Sequence, residues 1–318
     1  MPRLPVAFRR GICLPAVCIA AALLLPACQR ADDRGGQAIG VARPTRIQAA
    51  TRPVDAAYLL RDRLLARDGV GFARLAVPPA LHARLAGGWR DGRSHWPIDE
   101  LPLDAKLPKM LASLQEKNAE SKLNSTFARQ FAGADRDIDQ AIRTLVLFGG
   151  EYVQKEADYT PEERAHVTQA IAALGDWALA APLSDAKHAR AFFAALVAAA
   201  QRSGIDGKAG STAFTRLGMD ASLNRLSPFL ATLLTQLRAQ YGLDLDASLR
   251  ALRVSLQQQT GDHARLRLQY SLGGREIDAM VPAVRIDGHW YLADFVHHAE
   301  ASLATGTAAA GGRKPAPP

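Results

Sequence analysis

Residues 253–295 read RVSLQQQTGDHARLRLQYSLGGREIDAMVPAVRIDGHWYLADF. The apolar period here is two. Leu252, Val254 and Leu256 alternate with Arg253, Ser255 and Gln257; Leu266, Leu268 and Tyr270 alternate with Arg265, Arg267 and Gln269. Ile277, Ala279 and Val281 alternate with Glu276, Asp278 and Met280, and a fourth strand is expected over residues 289–295. Successive side chains on a strand point to opposite faces, so each run has one apolar face. Thr260-Gly261-Asp262, Gly273-Gly274 and Asp287-Gly288 interrupt the runs, and each is a hairpin signal. The stretch therefore predicts a four-stranded antiparallel meander with its apolar face against helices. Arg265 and Arg267 are expected to face Glu276 and Asp278 across its other side, in ion pairs worth at most about 1 kcal/mol each.

Outward from this sheet the period changes to that of a helix. Leu226, Phe229, Leu230, Leu233, Leu234, Leu237 and Tyr241 follow i, i+3, i+4, i+7 spacing. Ser227-Pro228 are read as the opening of that helix and Gly242 as its left-handed stop. Further back, Ser184 is the expected cap of a helix carrying Phe192, Phe193, Leu196 and Val197. Thr160, Pro161 and Glu163 spell a capping box ahead of the stripe Val167, Ile171, Leu174 and Ala178. Residues 135–153 put Ile138, Ile142, Leu145, Val146 and Val153 on one broad face. Residues 104–131 read as one or two helices, 80–85 as a short one and 54–67 as the first. The fold class is α+β, a mainly helical body with a C-terminal four-stranded antiparallel sheet. The expected divisions are residues 54–204 as the helical region and 221–298 as helix plus sheet, around a Gly- and Ser-containing break. Residues 304–318, rich in Ala, Gly and Pro, are expected to be a disordered tail.

The N-terminal end differs from all of this. Arg9 and Arg10 precede an uncharged apolar run, residues 11–27, that ends Leu25-Pro26-Ala27-Cys28. A spanning helix needs roughly 20 apolar residues, so the run reads as a secretory signal over residues 1–27. Its ending resembles the lipobox of bacterial lipoproteins: Leu25 matches the large aliphatic and Ala27 the small residue before the cysteine, while Pro26 departs from the usual small or aliphatic residue. The resemblance implies cleavage before Cys28, a diacylglyceryl thioether on its sulfur and an acyl chain on the new amine. It also implies a protein attached to the membrane through Cys28, and Gln29 in place of Asp points to the outer membrane, facing the periplasm. Residues 28–53 are polar and rich in Gly, Ala and Arg, and read as a flexible tether able to reach several nanometres.

Composition narrows the chemistry. If the lipoprotein resemblance holds, Cys13 and Cys18 leave with the signal and Cys28 is lipidated, so no thiol would remain for a disulfide, a metal or nucleophilic attack. Loss of Arg3, Arg9 and Arg10 lowers the formal charge from +8 to +5. No basic stripe interleaved with aromatics occurs, so nucleic acid is not an expected partner.

Two short stretches match parts of a catalytic pattern. Ser184-Asp185-Ala186-Lys187 matches S-x-x-K and Ser222-Leu223-Asn224 matches S-x-N, but the K-[ST]-G strand that completes the penicillin-binding pattern is missing. His82, His95, His166 and His188 are scattered, and adjacent His297 and His298 would point to opposite faces of a strand. No metal, cofactor or catalytic residue is expected. In residues 87–102, GGWRDGRSHWPIDELP, the tryptophans flank charged groups. Such a segment either pins a long loop onto the body or forms a recognition surface. Trp89, His95 and Trp96 are the binding candidates on the second reading.

Residues 284–295, VRIDGHWYLADF, look like the last hairpin of nuclear-transport-factor-like cone folds. Residues 57–85 resemble the opening helices of the same superfamily, with more than 150 residues between the two pieces. That superfamily holds enzymes and binders alike, so no catalytic residue carries over. The expected function is that of a lipid-anchored envelope protein that binds a protein partner or an apolar ligand, one version being an inhibitor of a secreted toxin. The alternative is a periplasmic hydrolase acting on cell-wall material.

Overall fold

The computed structural model describes residues 49–100, 106–155 and 159–311. Three short helices come first: α1 (Pro53–Leu65), α2 (Gly69–Ala76) and α3 (Pro79–Arg90). Proline stands in the first turn of α1 and α3, where its missing amide costs nothing. A 3-10 turn, Ile98–Glu100, precedes α4 (Leu107–Leu114), α5 (Ala119–Gln130) and α6 (Asp135–Lys155). Then come α7 (Pro161–Ala180) and α8 (Ala186–Arg202). After α9 (Ser211–Leu217), α10 (Met219–Tyr241) and α11 (Leu245–Arg250), the chain enters the sheet. Its strands are β1 (Arg253–Thr260), β2 (His263–Leu272), β3 (Arg275–Ile286) and β4 (His289–Leu292), and α12 (Ala293–Gly311) follows. The architecture is α+β, mainly helical.

The strands lie in the order β1-β2-β3-β4, every neighbour antiparallel, as the hairpin signals require. Leu266 pairs with Val281, Leu268 with Ala279 and Tyr270 with Ile277, and all six are buried. Helix α7 is fitted closely to the β2–β3 turn: a Cβ on Gly273 would stand 2.8 Å from the Trp177 Cβ. β4 pairs only with Ala283–Ile286, so the earlier part of β3 has no strand on that edge. Gln169 of α7 serves it instead. Its Nε2 donates to the Asp278 carbonyl and its Oε1 accepts from the Asp278 amide, each at 2.9 Å. A side-chain amide thus takes the place of the missing strand.

One apolar core runs from Ala50 to Leu303 and takes in residues of helices and sheet alike. It crosses the break at residues 204–220, where Ile205, Ala213 and Phe214 are core residues. A second, small cluster of Val153, Tyr159, Val167 and Ile171 seats α6 on α7.

Several expectations need correction. Ser227-Pro228 do not open α10, which starts at Met219 with Pro228 inside it. The absent amide would have served the Asn224 carbonyl. Gly242 does adopt the left-handed conformation at the end of α10, with φ of 72°. Asp185, not Ser184, caps α8, accepting from the Lys187 and His188 amides. The capping box at Thr160 and Glu163 is present as read.

In the sheet, Arg267 bonds Asp278, but Arg265 turns to Glu162 of α7 at 2.7 Å instead of pairing with Glu276. β1 has no fully buried face. It is an edge strand with a register shift between Leu256 and Gln258, and Leu256 is 44% exposed. The fourth strand stops at Leu292, where α12 begins, so His297 and His298 are helical. α12 also extends to Gly311, through part of the expected disordered tail, and Leu303 packs against Gly88. Residues 312–318, the expected signal, Cys28 and most of the expected tether lie outside the described residues.

Candidate functional site

Buried ionisable side chains from three separate parts of the chain meet at one place. The 3-10 turn after α3 presents Glu100, held by the Asp99 carboxylate on the His95 amide (2.7 Å) and the Glu100 amide on the Pro97 carbonyl (3.2 Å). The first turn of α7 presents Glu163. Its Oε2 accepts from the Thr160 amide at 2.8 Å in the capping box, which leaves Oε1 directed elsewhere. That oxygen lies 3.3 Å from His298 Nε2, while Glu100 Oε2 lies 3.2 Å from His298 Nδ1. Glu100, Glu163 and His298 are 4%, 3% and 8% exposed, so the three charges are held almost out of water.

The charges set the protonation. Burial alone would push the His298 imidazole down, but Glu100 and Glu163 outweigh it and raise it to about 10. Glu163 is likewise pushed up by burial, yet His298 and the Thr160 amide hold it below the usual carboxylate range. Asp294, one turn before His298 on α12, is pushed up to about 7 by burial and then by the Glu163 charge. His166, one turn beyond Glu163, is pushed down to about 4 by burial. Its Nε2 is 2.8 Å from the Tyr270 hydroxyl on β2.

This arrangement is a clasp more than a reaction centre. His298 stays protonated at neutral pH and cannot accept a proton as a general base. Each of its nitrogens already faces a carboxylate oxygen. No group of ligands suited to a metal ion occurs among the described residues. Sequence reasoning saw Glu163 only as a cap and missed Glu100, Asp294 and the role of His298. The capping box was the one local signal, since it fixes where a Glu163 oxygen sits.

The other sequence candidates are dispersed. Trp89 and Trp96 are fully buried, and the Trp89 indole N–H donates to the Trp96 carbonyl at 2.7 Å. His95 is half-buried, edge-on to Trp89 with ring centroids 5.1 Å apart. Together they hold the segment onto the body, and the two indoles offer no surface to a partner from outside. Ser184 bonds the Asp135 carboxylate, whereas buried Ser222 donates to the Phe214 carbonyl at 3.3 Å. His188 contacts Gln240, and His82 is half-buried on α3. An open cavity of about 450 Å³ between α5 and α8, lined by Glu116, Asn118, Glu120, Asn124 and Gln201, lies away from the clasp and holds no buried acid or base.

A surface feature stands apart. α6 buries Val153 and packs Val146 against α7, but Leu145, Leu147 and Phe148 are 70%, 64% and 65% exposed. Leu145 therefore does not belong to the inward face that its period suggested. Comparison of the chain with protein-family models, with curated proteins and with solved structures finds no match.

Proposed function

We propose that this protein is a lipid-anchored, non-catalytic binding protein of the bacterial envelope, held through Cys28, with α6 as its face for a protein partner. The observation that carries the binding reading is the exposure of three large apolar side chains on one helix whose other side is already packed. Leaving such residues in water forgoes a burial worth roughly 1.5–3 kcal/mol each, and exposed apolar groupings of this kind mark interaction surfaces. The anchor rests on the lipobox resemblance of Leu25-Pro26-Ala27-Cys28. It is supported by the same logic of place: two or more acyl chains hold a protein stably, whereas one does not. Against the hydrolase alternative, the Ser184 hydroxyl donates to the Asp135 carboxylate at an exposed site.

Two measurements test the proposal together. Mass spectrometry of the exported chain should show a diacylglyceryl group on Cys28 at a new N-terminus. Capture from envelope extract with the wild-type chain, beside a Leu145→Asp/Phe148→Asp chain, should recover a protein that the variant loses. Cell-wall digestion abolished by Ser184→Ala would overturn the binding reading.

A further inference from the structure

Along α6, Asp137, Ala141, Leu145, Phe148, Tyr152 and Lys155 follow one another at steps of three or four residues, so they form a single stripe. All six are exposed. The stripe is acidic at one end, basic at the other and apolar between. We propose that it is covered by a second copy of itself, two α6 helices lying antiparallel about a two-fold axis.

The argument is self-complementarity. Turned end for end, the stripe brings Lys155 to Asp137, Tyr152 to Ala141 and Phe148 to Leu145. Opposite charges meet at both ends, and the largest side chain meets the smallest. A two-fold interface needs this property, because each contact is made twice. Parallel pairing would instead set Asp137 on Asp137 and Lys155 on Lys155. A lipid surface fits less well, since Asp137 continues the apolar row and exposed Glu151 stands beside it. Lys155 bonds Glu151 of its own helix at 2.9 Å, but both are well exposed, so the exchange of partners costs little.

One helix face is a small interface, so the dimer is weak and reversible. Anchorage of both copies in one membrane would raise their effective concentration. The proposal thus rests on the reading of α6 as a binding face and names the partner.

Sedimentation equilibrium of the full-length chain in density-matched detergent, over a range of concentrations, tests it. The expected result is a monomer–dimer equilibrium. Leu145→Asp or Phe148→Asp should weaken it by about ten-fold or more without changing the circular-dichroism melt. Asp137→Lys and Lys155→Asp should each weaken it by about two- to five-fold, and the two together should restore it. A chain that stays monomeric, a dimer indifferent to α6 substitutions, or a double reversal that fails to restore association would overturn the proposal. If a monomeric wild type still captures an envelope protein that Leu145→Asp loses, the dimer falls and the binding reading stands. If a monomer binds phosphatidylethanolamine–phosphatidylglycerol vesicles through α6, the face belongs to lipid and the dimer falls. An α6-dependent dimer whose Cys28 is an unmodified thiol would keep the dimer and remove the anchor.

Discussion

Glu100, Glu163 and His298 are charged and sealed from water, while Leu145, Leu147 and Phe148 of α6 are apolar and stand in it. Both arrangements oppose the usual partition of residues, and they differ in whether the chain compensates for them. At the clasp, each buried charge has an opposite charge beside it, supplied by a distant segment. On α6, Leu145, Leu147 and Phe148 stay mostly in solvent. The first departure is complete within one molecule and ties α12 to α7 and to the turn after α3. The second is the ground for the proposed partner. Local polarity alone therefore does not separate a structural oddity from a proposed surface for partners; compensation within the chain is the criterion used for the proposal.

The comparison breaks most visibly at His298. His298→Ala leaves two buried carboxylates facing each other, and urea denaturation at pH 6 should show a loss of about 3–5 kcal/mol. A loss below 1 kcal/mol would mean that the clasp is not a structural tie.

Asp294 gives the next largest effect, with the opposite sign. Its carboxyl is raised from 3.8 to about 7, so the native state prefers the protonated form. The penalty is complete above about pH 7 and disappears as pH falls towards 3.8. Asp294→Asn should therefore stabilise the protein at pH 8.5 by on the order of 1–3 kcal/mol, below the ceiling of about 4 set by the shift, and hardly at all at pH 4. Parallel denaturation series at the two pH values check this.

The wild-type pH profile sharpens the same point. His298 is raised from 6.5 to about 10, so its stabilisation is whole below about pH 6.5 and is lost as pH rises towards 10. Glu163 is held below its ordinary value, so its share is present above that value and is lost as pH falls through the depressed one. The thermal midpoint should fall between pH 7 and 10, and His298→Ala should flatten that limb.

Thr160→Ala removes a cap that also orients Glu163 and should cost about 1 kcal/mol. Phe148→Asp comes last: its stability should stay within about 0.5 kcal/mol of wild type, as a surface change does. Its expected effect is on association, as proposed for α6. A melting temperature that dropped by many degrees would show that the α6 stripe is part of the fold after all.

Much of the fold was legible from local pattern. The period-two runs at Leu266–Tyr270 and Ile277–Val281 became β2 and β3 in the expected order, since their alternation and their turns lie within a few residues. Thr160, Pro161 and Glu163 announced α7, and Gly242 ended α10. β4 is present but ends at Leu292 and not at Phe295, because Ala293 to Phe295 are apolar enough for either state. Packing of Phe295, Ala299 and Leu303 into the core decides for helix from Ala293 onward. Leu145 failed for a related reason. A stripe on a helix is visible in sequence, but not which of two adjoining apolar sides has a neighbour.

The sequence by itself determined the class of the fold, the hairpin order and the boundaries marked by the Thr160 capping box and by Gly242, because these follow from steric and hydrogen-bonding preferences between near neighbours. Only the tertiary structure decided that Glu100, Glu163 and His298 share one dry site, that the two tryptophans face inward, and that α6 leaves a stripe in solvent. Burial and charge partnership are set by segments far apart in the chain, and no local period encodes which of them will meet.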